Sequence, residues 1–208
     1  MATMKTWGII GLLSLFYTGI QAQDVIKLKN PGFESEQGAG VVPEGWVNLG
    51  ASEETPPDTQ PGFFRVELAP QEGNTYLGLV VRQHNTWEGV GQELDGWLRK
   101  DSTYTFSLYL NRSISYISPM IGGGEPVSFV SPTILKIWGY NTITGKDELL
   151  AESLPPGHSN WVRYEFTFTP RNGDYNEIDL MAYYAKGFEQ RNGNLLIDNC
   201  SDIIMVKQ

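Results

Sequence analysis

Cysteine is almost missing from this chain of 208 residues: Cys200 stands alone. A single cysteine rules out an internal disulfide, so stability must come from a packed core or a bound ion. Its setting, Leu-Leu-Ile-Asp-Asn-Cys at 195–200, reads as a strand with a small buried hydrophobe at its end rather than a reactive thiol. Positive charge is scarce as well, with 15 Lys and Arg against 24 Asp and Glu and a net charge of −9. Such a chain is repelled by phosphate backbones and anionic lipid, which excludes nucleic acid and membrane surfaces as natural partners. Strongly anionic polysaccharide is disfavoured for the same reason. Of only two histidines, His84 and His158, neither has metal-ligand spacing. Gly-x-Ser-x-Gly, His-Glu-x-x-His and phosphate-loop patterns are all absent. No segment carries sustained helical periodicity with caps.

Long apolar runs are missing too, apart from one at the N-terminus. Lys5 precedes the apolar stretch Trp7 to Ile20, and Ala22 is a small residue suited to a cleavage position. This pattern predicts an export signal over 1–22, cut after Ala22, and a single mature domain over 23–208. The run is short for a membrane span, though a retained N-terminal anchor is the alternative. No cysteine near its end supports a lipid anchor. The expected location is secreted or at the cell envelope, with no membrane span after signal removal. Removing the segment takes away Lys5 and no acid, leaving 14 basic against 24 acidic groups.

What is plentiful is aromatic and turn-forming: 6 Trp, 10 Tyr, 9 Phe, 23 Gly and 12 Pro. With no helical pattern this predicts short strands joined by long loops. The stretch 74–113 sets the pattern. Tyr104, Phe106, Leu108 and Leu110 alternate with Thr105, Ser107, Tyr109 and Asn111, the period of a strand with one buried face. Leu77, Leu79 and Val81 alternate with Tyr76, Gly78, Val80 and Arg82. Gly78 and Arg82 suit a face that something else approaches. Further strands are predicted at 25–29, 62–68, 89–94, 133–140, 148–153, 161–169, 177–185, from Leu195, and at 202–206. A Gly/Pro-rich loop spans 116–131. About nine or ten strands without a repeat or linker fit an all-β sandwich of two antiparallel sheets.

Asn-Pro-Gly-Phe-Glu at 30–34, Pro-Glu-Gly-Trp at 43–46, Tyr-Leu-Gly-Leu at 76–79 and Val-Gly-Gln-Glu-Leu at 90–94 form an ordered set. Tyr-Thr-Phe-Ser-Leu at 104–108, the Trp161–Phe168 strand and Leu-Leu-Ile-Asp-Asn at 195–199 complete it. The set resembles carbohydrate-binding modules with the galactose-binding-domain-like jelly roll, in the grouping of families 4, 9 and 22, and free-standing bacterial surface domains with the same pattern. The resemblance covers essentially the whole mature chain. It implies a jelly-roll sandwich, a polysaccharide or oligosaccharide ligand, and a structural calcium where the first and last strands meet. Its carboxylates would be Glu34 and Asp198, in keeping with the oxygen ligands that calcium takes. The bland reading is that Glu34 caps a turn and Asp198 bonds backbone amides.

Sugars offer apolar C–H patches and hydroxyls, which proteins meet with flat aromatic rings and with Asn, Gln, Arg and carboxylates. Leu135, Ile137 and Gly139 fall on one strand face, and Lys136, Trp138 and Tyr140 on the other. Ile178, Leu180, Ala182 and Tyr184 likewise oppose Asp179, Met181, Tyr183 and Ala185. With the aliphatic sets in the core, the opposite face collects Arg82, Tyr109, Asn111, Lys136, Trp138, Tyr140 and Tyr183 as the expected ligand site. The competing reading packs Trp138 and Tyr140 under the 116–131 loop as a second core. Trp87, in a polar loop, is placed at the rim.

A glycosidase needs two carboxylates flanking the scissile bond, and this face offers only Asp179. A binding protein without catalytic activity is therefore expected. A polysaccharide lyase or hydrolase built on Arg82, Lys136, His84 and Tyr140 is one alternative. A protein-interaction domain of a bacterial envelope or secretion assembly, with an envelope or surface protein as partner, is the other.

Overall fold

The structure is a computed structural model that describes residues 24–119 and 123–206. The predicted export signal and its cleavage point lie outside the described residues. Fifteen strands form among them. In chain order these are β1 (Val25–Ile26), β2 (Val47–Asn48), β3 (Asp58–Gln60), β4 (Tyr76–Arg82) and β5 (Thr86–Trp87). Then come β6 (Gly89–Leu98), β7 (Tyr104–Asn111), β8 (Ile117–Ser118), β9 (Val127–Ser128) and β10 (Thr133–Asn141). The last five are β11 (Lys146–Glu152), β12 (Val162–Phe168), β13 (Tyr175–Tyr184), β14 (Gly193–Asp198) and β15 (Ile203–Met205).

Two antiparallel sheets stack face to face. The larger runs β12–β7–β14–β4–β3. In it β15 also pairs with β7, β1 lies on β15, and β5 folds back on β4. The smaller runs β11–β10–β13–β6–β2. A separate ribbon, β8–β9, forms within the 116–131 loop. The alternations in the sequence set the inner faces. Leu77, Leu79 and Val81 of β4 join Phe106, Leu108 and Leu110 of β7 against Leu135 and Ile137 of β10 and Ile178 and Leu180 of β13, all buried in one cluster. Each such side chain contributes about 1.5–3 kcal/mol by leaving water.

The larger sheet carries a second cluster on its outer face. Tyr76, Val80 and Leu196 are covered by Val66, Tyr116 and Phe129, with Phe64, Leu68 and Trp161 packed around them. The predicted strand over 62–68 is therefore not formed: this segment is a loop. Phe64 and Arg65 take positive φ of 53° and 64°, turning the chain so that Phe64, Val66 and Leu68 fold onto the sheet. The 116–131 loop does build a second core, but over β4 and β14 rather than over Trp138 and Tyr140.

Opening motifs interlock. Asn30 Nδ2 donates to the carbonyls of Glu34 and Glu44, and its Oδ1 accepts from Glu34 N, all at 2.8 Å. Trp46 stacks on Phe33 with ring centroids 5.0 Å apart, and its Nε1 donates to Asn30 O. Gln92 of β6 exchanges hydrogen bonds with Lys29 N and O and donates to Gly45 O.

Candidate functional site

Arg82 ends β4 on the outer face of the larger sheet, where it is only 5 % exposed. The tight β4–β5 turn, with Asn85 at φ 64°, sends the chain back so that Glu88 lies beside it. Glu88 Oε1 accepts a short hydrogen bond from Arg82 Nη2, and Glu88 Oε2 accepts from Val80 N at 3.0 Å. From the 51–57 loop, Glu54 Oε2 stands 3.2 Å from Arg82 Nε, and Thr55 Oγ1 accepts from Nη2 at 2.9 Å. Glu54 Oε1 meets Thr86 Oγ1 at 3.1 Å and His84 Nε2 at 2.5 Å. Arg82 Nη1 is buried with no hydrogen-bond partner among the described residues.

Asp58 on β3 adds a further buried carboxyl. Its Oδ1 accepts from Gly40 N at 2.8 Å, and its Oδ2 takes a short bond from the Tyr116 hydroxyl. Phe64 stacks on Tyr116 with centroids 5.5 Å apart, and Phe129 lies 5.8 Å from Tyr116 on its other contact. A cavity of about 430 Å³ opens among these groups, lined by Glu54, Asp58, Phe64, Arg82, Glu88 and Tyr116 with neighbouring loop residues.

Burial dominates the electrostatics. It pushes the Glu88 carboxyl well above the ordinary range despite the pull of Arg82, and raises Asp58 against its bonds to Tyr116 and Gly40. It drives the Tyr116 phenol far up, with the Asp58 charge adding to it. At Glu54 burial also acts upward, but His84, Arg82 and Thr86 together outweigh it, so this carboxyl sits below its usual value. The cavity is thus walled by carboxyls, Arg82, His84 and aromatic side chains.

The structure divides the seven predicted ligand residues between opposite sides of the sandwich. Arg82 lines the cavity. Tyr109 and Asn111 share its sheet face further along β7, where Asn111 is fully buried and its Nδ2 unpartnered among the described residues. Lys136, Trp138, Tyr140 and Tyr183 project from the outer face of the smaller sheet, each half-buried. There Lys136 Nζ sits 3.8 Å over the Tyr183 ring, which also contacts Trp87 at 4.7 Å. Asp179 shares that face, 8 % exposed and beside Glu177. Burial first, and then Glu177, pushes its carboxyl up to about 8.

Glu34 and Asp198 bracket the 71–75 loop. Asp198 Oδ2 accepts from Gln71 N at 2.7 Å and Glu72 N at 3.2 Å, and Oδ1 from Asn199 N at 2.7 Å. Glu34 receives Asn74 N at 3.0 and 3.1 Å on its two oxygens. Burial raises the Asp198 carboxyl to about 6, with Glu34's charge contributing in the same direction. Among the described residues no group of three or more His, Cys, Asp or Glu is placed to hold a metal.

Glu54, Asp58, Glu88 and Tyr116 had no sequence signal as a group. Asp58 follows Pro56-Pro57 in an acidic loop, and Tyr116 opens a Gly/Pro-rich one. The spacing of Arg82 and Glu88, on either side of the polar 83–85 turn, is the one signal from which a pair could be read.

Two stacked antiparallel sheets form a jelly-roll sandwich, a fold shared with solved carbohydrate-binding modules. The structure is similar to the family 22 xylan-binding domain of Paenibacillus barcinonensis Xyn10C, at TM-score 0.52 and 16% identity, covering 90% of this chain and 98% of that one. Against the tandem of two such modules from the same enzyme it gives TM-score 0.52 and 15% identity, covering 92% of this chain and 48% of the tandem. The K2 cleaved adhesin domain of Lys-gingipain shares the fold at TM-score 0.50 and 14% identity, covering 90% and 99% of the two chains. No family model matches the sequence, and no curated protein matches it.

Proposed function

We propose that this protein is exported and binds a glycan in the cavity at Arg82, without acting on it chemically. The observation that carries the reading is the cavity itself: Arg82, whose buried Nη1 has no hydrogen-bond partner among the described residues, lines it together with carboxyl acceptors and aromatic side chains. A sugar hydroxyl supplies both the acceptor that Nη1 lacks and the donor that Asp58 and Glu88 can take, while a ring C–H patch meets Phe64. A polysaccharide ligand is also in keeping with the xylan-binding domain that shares the fold. Binding rather than hydrolysis follows from the engagement of the carboxyls: Glu54 and Glu88 are held by Arg82, and Asp58 by Tyr116 and Gly40. A glycan array followed by calorimetry on the mature chain tests the reading. Binding should fall at least about tenfold in Glu88→Gln, a loss of about 1.4 kcal/mol. Retained binding in a folded variant would remove the cavity from consideration. Release of reducing ends from a bound glycan would overturn the non-catalytic part.

A second reading, an envelope or surface protein partner, is favoured by Lys136, Trp138, Tyr140 and Tyr183 forming a half-exposed patch opposite the cavity. Pull-down from envelope extracts with and without Trp138→Ala tests it separately.

Calcium belongs to the same proposal. Glu34 and Asp198 would hold it; burial, with a smaller contribution from Glu34's charge, raises Asp198, and a cation would offset both. The ion would neutralise the two carboxylates and tie the opening loop to the end of β14.

A further inference from the structure

We infer that the Arg82 cavity is a subsite for a sugar carrying a free, protonated amine. This rests on the glycan reading above and narrows it. Carboxyls outnumber basic groups in the cavity: Glu53, Glu54, Asp58 and Glu88 line it with Arg82 and His84, and His84 pairs with Glu54. Arg82 is already committed, through Nε to Glu54 and through Nη2 to Glu88 and Thr55, and reaches Asp58 only through space, so Asp58 has no ion pair among the described residues. Asp58 is 4 % exposed, and its contacts are the Tyr116 hydroxyl, the Gly40 amide and, at 3.5 Å, Gln60 Nε2. These donate hydrogen bonds but no charge.

An anionic ligand would add to this surplus, and Arg82 Nη1 alone is a poor counterweight. A purely hydroxylated ligand would satisfy Nη1 but leave Asp58 uncompensated. An ammonium beside Asp58 supplies that ion pair, and the half-buried Phe64 ring lines the same cavity. A neighbouring hydroxyl of the same sugar then accepts from Nη1. An amine and a hydroxyl on adjacent carbons are what an unacetylated amino sugar provides.

The test uses the mature chain and three sugar series, of gluco, galacto and manno configuration. Each is supplied with hydroxyl, free amine or acetamido at the same carbon, and binding is followed by calorimetry at a pH near 6. In at least one series the free amine should bind at least about tenfold tighter than its hydroxyl and acetamido counterparts, equivalent to about 1.4 kcal/mol. The preference should shrink with added salt and fall to within about twofold in Asp58→Asn. Glu88→Gln serves as the second variant should Asp58→Asn fail to fold, and it too should reduce the ratio. Hydroxyl or acetamido forms that bind as tightly as the amine would overturn this inference and leave the glycan reading standing. Binding by no member of any series would overturn this inference, and absence of any ligand on the glycan array would overturn the glycan reading as well.

Discussion

Burial beside a second carboxyl, Glu177, holds the Asp179 carboxyl well above its ordinary range. Its folded value of about 8 lies above its ordinary one of 3.8. Between those values the folded state holds more protons than the unfolded state, so stability falls as pH rises through this window. We expect the melting temperature to decline from pH 5 to pH 8, and Asp179→Asn to flatten that slope, raising the midpoint near pH 8 by about 4 °C or more. A midpoint independent of pH in both proteins would contradict the assignment. Arg82 poses the reverse case, since it holds two carboxylates rather than lacking a partner. Arg82→Ala should cost about 3–5 kcal/mol, because Glu88 is left buried and unpaired. Adding Glu88→Gln to that variant should recover part of the loss, measured by chemical denaturation.

At the level of strands, side-chain alternation separates an inner from an outer face but carries no mark of which sheet the outer face belongs to. That is why β7, β10, β12 and β13 were legible almost to the residue while the seven ligand residues read as one surface. The two sheets turn their outer faces in opposite directions, and only pairing register reveals it. The cavity carboxyl Glu54 and its rings come from loops, where no period exists and tertiary packing decides. Asp58 sits in a strand of only three residues, too short to show a period. Gly91 of β6 shows how closely one strand's neighbours can crowd it. A Cβ there would stand 2.9 Å from Asp179 Oδ1 and 3.0 Å from Glu177 Oε1. Gly91→Ala should therefore destabilise by about 1–3 kcal/mol, read as a lower denaturation midpoint. Trp138 on β10 is half-buried, so Trp138→Ala should cost less stability than a core truncation, whose loss is about 3–5 kcal/mol. A core-sized loss on melting would assign Trp138 to structure rather than to a partner surface.

For the molecule as a whole, the calcium proposal predicts a chelator-sensitive melt. Added calcium should raise the midpoint and a chelator lower it, and Asp198→Asn should abolish the difference; an unchanged midpoint in the parent protein argues against an ion. The pairing of β1 with β15 sets Val25 opposite Ile204, and β15 also lies against β7. Beside β7 the larger sheet is thus completed by two segments from the end of the chain, β14 and β15. This has a consequence for biogenesis. While the polypeptide is still being made, β7 has neither β14 nor β15 beside it, and β1 has no strand to join. Until residues 193–205 have emerged, β7 keeps an unpaired edge, and contacts this distant in sequence make for slow folding. A ribosome-stalled chain ending before Gly193 should remain sensitive to protease, and resistance should arise only once Ile203–Met205 have cleared the exit.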